Sequence, residues 1–338
     1  MIVPTFWVGV CLASSAVMAF SNLDKPYYDL DDAENLFRDF IKEHGKVYDR
    51  SEYSERLEIF RENLKDINRR NEKYPMTAFK VNHLADMKHE ELHIHIFKER
   101  HSQQLSETIK KVTIPDGPNP APDTFDWRTH GKVSDVKNSG KSCFLGSYIF
   151  SAIANIESQY AMKYNQCLAL SEGQALDCCL DNWGCIGGYP DKLMDEFARK
   201  PGIMLEADYP FVGERGYCHE DDTKVAVGVI EGSKLMNTED EEVLKQKLYE
   251  IGPLSVCIED RDFQFYNGGI LEPEKCMEQP IYISGCFLLV GYGEENGTAY
   301  WTMKFAAGPE WGEKGYARMR RGVNACFIGY YTATATVV

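Results

Sequence analysis

The chain has 338 residues, and 43% of them are hydrophobic. That length is enough for about two domains, and the apolar fraction suits a globular protein with a sizeable core. The formal net charge of -15 would repel nucleic acid and anionic membrane surfaces. The composition therefore predicts neither nucleic acid nor membrane as a partner.

The first 19 residues are typical of a secretory signal. The segment MIVPTFWVGVCLASSAVMAF is apolar and places small residues around a cleavage point after Ala19. No Lys or Arg precedes Lys25, so the usual positive start is missing and a membrane anchor is the alternative interpretation. Pro4 would interrupt a spanning helix and favours cleavage.

Residues 20–113 are rich in charge and follow a helical period. Leu57, Phe60, Leu64 and Ile67 recur at intervals of three and four residues, which predicts one apolar stripe on a helix. The sequence IPDGPNPAPD comes next, and its Pro and Gly content predicts a protease-accessible linker over residues 114–120.

Residues 121–338 begin with helical patterns and end with strand patterns. Ile149, Ile153 and Ile156 share one face of a predicted helix. The later segments LSVCIE, CFLLVGYG, AYWTMKF and GYARMRR are strand-like, and Asn296-Gly297 predicts a hairpin turn between two of them. A helical half followed by a sheet half is an α+β arrangement.

The cysteines favour an oxidising compartment, because ten of the 11 lie between Cys143 and Cys326. The sequence has no Cys-x-x-Cys pair at zinc spacing, and His130 and His219 are the only histidines beyond the linker. We therefore predict no metal site and no cofactor.

Two groups of motifs carry a family resemblance. The first is an interspersed pattern in residues 20–113, made of Glu52, Arg56, Phe60, Asn63, Ile67 and Asn71, followed by Asn82, Leu84 and Asp86. The second group lies in order along residues 121–338: FDWR (125–128), LSEGQALDC (170–178), GCIGGYP (184–190), GYG (291–293) and EWGEKGYARMRRG (310–322). Together they resemble a papain-family cysteine protease precursor of the cathepsin L type, although Lys80 replaces a usual glycine.

The resemblance implies a helical propeptide (20–113) before a two-domain peptidase fold (121–338), with a helical left domain and a β-barrel-like right domain. It also implies three disulfides: Cys143–Cys185, Cys178–Cys218 and Cys276–Cys326. Of the remaining cysteines, Cys257 and Cys286 lie in apolar strand patterns and are interpreted as buried free thiols. Pairing of Cys167 with Cys179 is left open.

The positions that should carry catalysis have changed. Aligning Phe150-Ser151 with the family's Phe-Ser pair puts Ser147 where the nucleophilic cysteine would be. The resemblance likewise puts Gly285 at the catalytic histidine and Phe305 at the orienting asparagine. It puts Ser139 at the oxyanion glutamine and Ala307 at the tryptophan that shields the asparagine. We therefore predict no catalytic residues, since a nucleophile needs a partner base.

An alternative register makes Cys143 the nucleophile, because it precedes the aromatic residue Phe144 and the stretch from Gly140 to Ser147 is two residues longer than the family pattern. The base and its orienting residue stay missing in that register as well. His130 and His219 are interpreted as surface histidines, because neither lies in the strand-rich part where the base should be.

Three functions follow. The first is a non-catalytic protein that binds extended peptides or protein ligands in its cleft, with Gly187 and Gly188 approaching the ligand backbone. The alternative for these glycines is a tight turn after Cys185. The second function is inhibition of active cysteine proteases through the propeptide, and the third is residual or unconventional peptidase activity.

Two further expectations concern the compartment and the changed site. Asn296-Gly297-Thr298 is an N-glycosylation sequon, consistent with a secreted or lysosomal protein. The histidine-to-glycine change should leave a hole beside the cleft, so we expect the Phe305 ring to lie over Gly285 and fill it.

Overall fold

The computed structural model describes residues 23–88, 91, 120–140, 142–231, 238–274, 276 and 283–338. The predicted signal segment lies outside this range, as do all but the last residue of the predicted linker. Among the described residues, no helix combines the length and the apolar character needed to cross a membrane.

The N-terminal region, residues 23–88, contains helices α1 (Ala33–His44) and α2 (Arg50–Lys73) and strand β1 (Thr77–Phe79). Helix α2 begins where the Asp49 carboxylate accepts hydrogen bonds from the amides of Ser51 and Glu52. The predicted stripe faces the core: Phe60, Leu64 and Ile67 are buried and Leu57 is half-buried. The helical prediction for this region is confirmed.

The helical part of the second region contains α3 (Ser147–Tyr164), α4 (Glu172–Cys178) and α5 (Pro190–Ala198). Ile149, Ile153 and Ile156 on α3 are fully buried, as their spacing predicts. Two short strand pairs complete this part: β3 (Ile203–Met204) with β4 (Val225–Val227), and β5 (Val229–Glu231) with β12 (Thr336–Val337).

A larger sheet forms the other part, with helix α6 (Glu241–Ile251) against it. Its strands are β2 (Phe125–Asp126), β6 (Leu254–Ile258), β7 (Tyr266–Leu271), β8 (Gly285–Glu295), β9 (Thr298–Lys304), β10 (Tyr316–Arg320) and β11 (Thr332–Ala333). The order is β1-β7-β10-β9-β8-β6-β11, and β2 pairs with β8. The edge strand β1 comes from the N-terminal region. The predicted α+β architecture is confirmed.

The predicted hairpin is also confirmed, because Asn296 and Gly297 join β8 to β9 with Glu295 opposite Thr298. Both turn residues have positive φ angles, 52° and 77°, which is the conformation that Asn-Gly adopts at low cost in a two-residue hairpin. Asn296 is exposed at the tip, and its glycosylation stays a prediction.

All three disulfides implied by the resemblance are bonded: Cys143–Cys185, Cys178–Cys218 and Cys276–Cys326. The interpretation of Cys257 and Cys286 as free thiols is wrong, because they face each other across β6 and β8, with Cα atoms 4.1 Å apart, and are bonded. Cys179 is buried and free, so it does not pair with Cys167.

Candidate active site

The entrance to helix α3 is a single turn of 3-10 helix, Phe144–Gly146, that runs directly into Ser147. Cys143 stands just before this turn and is bonded to Cys185. The alternative register with Cys143 as nucleophile is therefore wrong, since a half-cystine has no thiolate to offer. Ser147 is the first residue of α3.

Ser147 is 4% exposed, and its Oγ accepts a hydrogen bond from the Cys286 amide over 3.1 Å. Within the described residues, that amide is the only hydrogen-bond partner of Ser147 Oγ. An amide N–H is a donor and cannot take a proton from the hydroxyl. The helix start favours negative charge on Oγ, but no base is hydrogen-bonded to it among the described residues.

Gly285 is the first residue of β8 and lies opposite Ile258 of β6. A Cβ atom at Gly285 would lie 2.6 Å from Asp260 Cγ, and the three heavy atoms nearest to it all belong to Asp260. Ser284 Oγ holds this carboxylate by donating to Oδ1 over 2.5 Å and accepting from the Asp260 amide over 2.9 Å. A carboxylate therefore occupies the space beside Gly285.

The expectation that the Phe305 ring lies over Gly285 is wrong in its geometry, because Asp260 already fills that space. Phe305 is buried, stacks on Phe287 with ring centroids 4.5 Å apart, and tilts against Trp311 at 5.1 Å. The apolar half of the expectation does hold. The ring belongs to the main hydrophobic core.

Ser139 is buried and is hydrogen-bonded to the neighbouring backbone. Its amide and its hydroxyl both donate to the Ala306 carbonyl, over 2.9 Å and 3.1 Å. Asn138 forms an isolated bridge with Ala307, which fixes the two segments side by side. A serine hydroxyl has one proton to donate, so Ser139 has none left for a substrate oxyanion.

Comparisons with known proteins agree along most of the chain. The family described as papain family cysteine protease matches residues 121–336, and the cathepsin propeptide inhibitor domain (I29) matches residues 37–92. The chain belongs to the papain family. The earlier match of separate motifs is thereby confirmed over most of residues 20–338.

Individual relatives cover nearly the whole precursor. The chain is 32% identical over 323 residues to the viral cathepsin of Adoxophyes honmai nucleopolyhedrovirus, covering 92% of this chain and 93% of that protein. It is 35% identical to the viral cathepsin of Heliothis zea nuclear polyhedrosis virus, with 89% and 84% covered. Digestive procathepsin L2 proteinase from Tenebrio molitor larval midgut superposes with a TM-score of 0.79 at 29% identity, covering 90% of this chain and 99% of that one.

The two histidines of the papain-family domain pack elsewhere. The His130 ring stacks on Phe125 at 4.7 Å. The His219 ring stacks on Tyr209 at 3.7 Å, and its Nδ1 lies 3.0 Å from the Tyr217 carbonyl oxygen. The described contacts bring neither ring to Ser147.

Gly187 and Gly188 both have structural reasons to be glycine. Gly187 has a φ of 121°, and its amide and carbonyl bond within the turn to Gly184 and Trp183. A Cβ at Gly188 would lie 2.5 Å from Tyr148 Cζ. These contacts favour the turn interpretation, and a role in binding a ligand backbone stays a proposal.

A buried charge cluster lies behind the changed site. Lys137 pairs with Glu157 and Glu172, and Lys304 donates to the carbonyl and hydroxyl oxygens of Ser134. Burial lowers the pKa of Lys304 to about 8. A cavity of about 20 Å³ next to these groups, lined also by Phe305, has room for one water molecule.

Sequence reasoning missed Asp260. Its signal is the acidic pair that ends the apolar strand pattern LSVCIE, two residues beyond Ile258. The carboxylate lies beside Gly285 because β6 and β8 pair in a register that sets Ile258 opposite Gly285. The spacing of residues along the sequence does not show which residues of two strands pair.

Proposed function

We propose that this papain-family chain is a non-peptidase that acts by binding ligands in its cleft. The observation that carries the proposal is the hydrogen bond from the Cys286 amide to Ser147 Oγ. A serine hydroxyl becomes a useful nucleophile only when a base within hydrogen-bond reach removes its proton. At Ser147 the neighbouring group is a donor, so the hydroxyl is used as a structural acceptor.

The surroundings of Gly285 support the same proposal. Asp260 fills the space where an imidazole would begin, and Ser284 Oγ donates to its carboxylate and accepts from its backbone amide. Phe305 is packed into the core, and the Ser139 hydroxyl is bonded to the Ala306 carbonyl. Each position that could supply a base, an orienting group or an oxyanion donor has another task in the fold.

The relatives named viral cathepsin and proteinase make peptide hydrolysis the function to test against. The experiment incubates the purified full chain, before and after cleavage of the linker, with a thiol-directed activity probe and a fluorogenic peptide. We expect no labelling and a kcat/KM at least about 10⁴-fold below that of an active relative. The nucleophile, the base and the orienting residue act as a unit, so the loss of one removes most of the rate enhancement.

Controls separate real turnover from contamination. Ser147→Ala should leave any background unchanged, as should Ser54→Ala at an exposed position on α2. Turnover that disappears in Ser147→Ala but survives in Ser54→Ala would establish a residual peptidase and end the proposal.

We propose extended peptides or protein segments as the cleft ligands. Binding is measured as protection from hydrogen exchange at residues 184–189 on addition of a peptide mixture. We further propose a secreted or lysosomal destination, supported by the disulfides and the exposed sequon. Enzymatic removal of N-glycans should lower the mass of the secreted protein, and Asn296→Gln should abolish that change.

A second candidate function is inhibition of active relatives through residues 20–113. It is favoured by the way β1 adds to the edge of the sheet at β7, since a relative with a similar edge offers a similar template. Residues 20–113 added to an active relative should then lower its peptide turnover in a concentration-dependent way. Unchanged turnover at micromolar concentrations would remove this candidate.

A further inference from the structure

The N-terminal region shares one hydrophobic core with the large sheet. Phe60, Leu64 and Phe79 from residues 23–88 belong to the same buried cluster as Phe263 and Tyr266 beside and on β7. Separating the two parts would remove the apolar contacts that join them within this cluster and return that surface to water. The two parts therefore share one continuous hydrophobic core.

Backbone pairing continues across the same boundary. Strand β1 is antiparallel to β7, with Thr77 opposite Gly269, and the Ile270 amide donates to the Met76 carbonyl over 2.8 Å. Thr77 Oγ1 adds a buried bond to the Ile270 carbonyl over 2.6 Å. Removing β1 would leave these groups of β7 without their partners.

A buried ion pair lies beside this strand. Arg70 Nη2 donates to both the backbone carbonyl and the carboxylate of Asp262, over 3.0 Å each, and the two side chains are 1% and 0% exposed. The guanidinium also lies over the Phe79 ring, 3.9 Å from its centroid. The second oxygen of Asp262 accepts the Glu274 amide over 2.7 Å, so the carboxylate is fully engaged.

A second ionic contact lies at the rim. Glu274 binds Arg69 through both oxygens, over 3.2 Å and 3.0 Å, and also binds Lys73. Asp66 braces Arg69 from the same helix, over 2.7 Å. Two cations of α2 thus hold one carboxylate of the large-sheet region.

We propose that the N-terminal region is an acid-resistant, permanent subunit of this protein, which stays bound after the linker is cut and at lysosomal pH. The proposal does not depend on whether the cleft is catalytic, because it rests on the contacts of α2 and β1 with β7, Asp262 and Glu274 and not on Ser147. Its partner surface is β7 with Asp262 and Glu274.

The rim carboxylate Glu274 keeps its charge in acid. Hydrogen bonds from Arg69 lower the pKa of Glu274 to about 2, against an ordinary 4.5, despite some burial. A lowered pKa means that Glu274 stabilises the bound state above about pH 4.5 and that this contribution fades only as the pH falls toward 2. Acid cannot discharge Arg69, Arg70 or Lys73, since it only favours their protonated forms.

The experiment cuts the folded full chain at a site-specific protease sequence placed between Lys111 and Val112. Size-exclusion chromatography at about pH 7.5 and about pH 4.5 then follows the two pieces. We expect co-elution at both values. Release of residues 20–111 at the lower pH, with the remaining piece still folded by its near-UV circular dichroism, would overturn the proposal.

Two variants test the contacts themselves. Asp262→Asn should speed dissociation at the lower pH by about 100-fold or more, because it leaves Arg70 buried without a counter-charge. Glu274→Gln should raise the dissociation rate by roughly 2–5-fold, because Glu274 makes an exposed contact at the rim. This second variant still tests the proposal if Asp262→Asn does not fold.

The matched control is Glu272→Gln, because Glu272 pairs with Arg320 in the same sheet and not with the N-terminal region. It should leave the dissociation rate unchanged. Equal rates for Glu272→Gln and Glu274→Gln would show that the rim contact does not hold the region, and would overturn the ionic basis of the proposal.

Discussion

The face that holds the N-terminal region and the corner around Ser147 use their polar groups differently. At the face, Arg70 and Asp262 reach across a boundary between two parts of the chain. At the corner, the Ser147 and Ser139 hydroxyls and the Asp260 carboxylate bond to groups in their own neighbourhood. A substrate binds to polar groups that the fold leaves unbonded, whereas these three groups already have partners within the protein.

The face should give the largest effect on stability. Arg70→Met removes the counter-charge of a fully buried Asp262, so we expect a loss of about 3–5 kcal/mol in the free energy of unfolding, measured in urea. The double variant Arg70→Met, Asp262→Asn should recover part of this loss. Arg38→Met, in an exposed pair with Glu34, should leave the stability nearly unchanged. Equal losses at Arg70 and Arg38 would remove the contrast on which the comparison rests.

The corner should resist a restored histidine. Gly285→His forces a Cβ against Asp260 Cγ at 2.6 Å, so we expect a cost of about 1–3 kcal/mol. Asp260→Ala in the same chain should relieve most of that cost, and Phe305→Ala should not. If Phe305→Ala gives the relief instead, then the ring and not the carboxylate occupies the corner.

Gly188 tests whether the cleft turn is fixed by packing. Gly188→Ala would bring a methyl group 2.5 Å from Tyr148 Cζ, and we expect about 1–2 kcal/mol of destabilisation by thermal unfolding. Gly268→Ala is the control, since its Cβ would meet Glu313 only at an ordinary 3.7 Å. A Gly188→Ala protein as stable as Gly268→Ala would mean that the glycine is kept for another reason, such as ligand approach.

The smallest expected effect is at Ser147. Ser147→Ala leaves the Cys286 amide without its acceptor in a buried place, which should cost about 1 kcal/mol. Peptide turnover should stay at background. If Ser147→Ala left the stability unchanged and abolished turnover, Ser147 would be a catalytic residue and not a structural hydrogen-bond acceptor.

Local patterns predict the parts of this fold that depend on local rules. The spacing of Phe60, Leu64 and Ile67 predicts helix α2, and Asn296-Gly297 predicts the hairpin, because a period or a turn type is set within a few residues. Family motifs, which carry information about the whole fold, predict three disulfides and the place of Ser147.

The remaining features depend on contacts between distant segments. The bond between Cys257 and Cys286 requires that β6 and β8 pair in one particular register, and a shift of one residue would point the two side chains to opposite faces. The position of Asp260 depends on the same register and on a serine rotamer as well. The prediction for Phe305 failed because the sequence shows a missing ring at Gly285 but not which neighbour moves in.

The buried thiol of Cys179 has a consequence for how this chain matures. It is adjacent in sequence to Cys178, which must find Cys218, so an unfolded chain in an oxidising lumen can equally join Cys179 to Cys218. Once the native packing forms, burial raises the pKa of Cys179 well above its ordinary value, which suppresses the thiolate needed for exchange. The non-native Cys179–Cys218 bond can therefore form early in oxidative folding but not after the native packing is complete. Cys179→Ala should raise the yield of native protein because it removes this competing thiol.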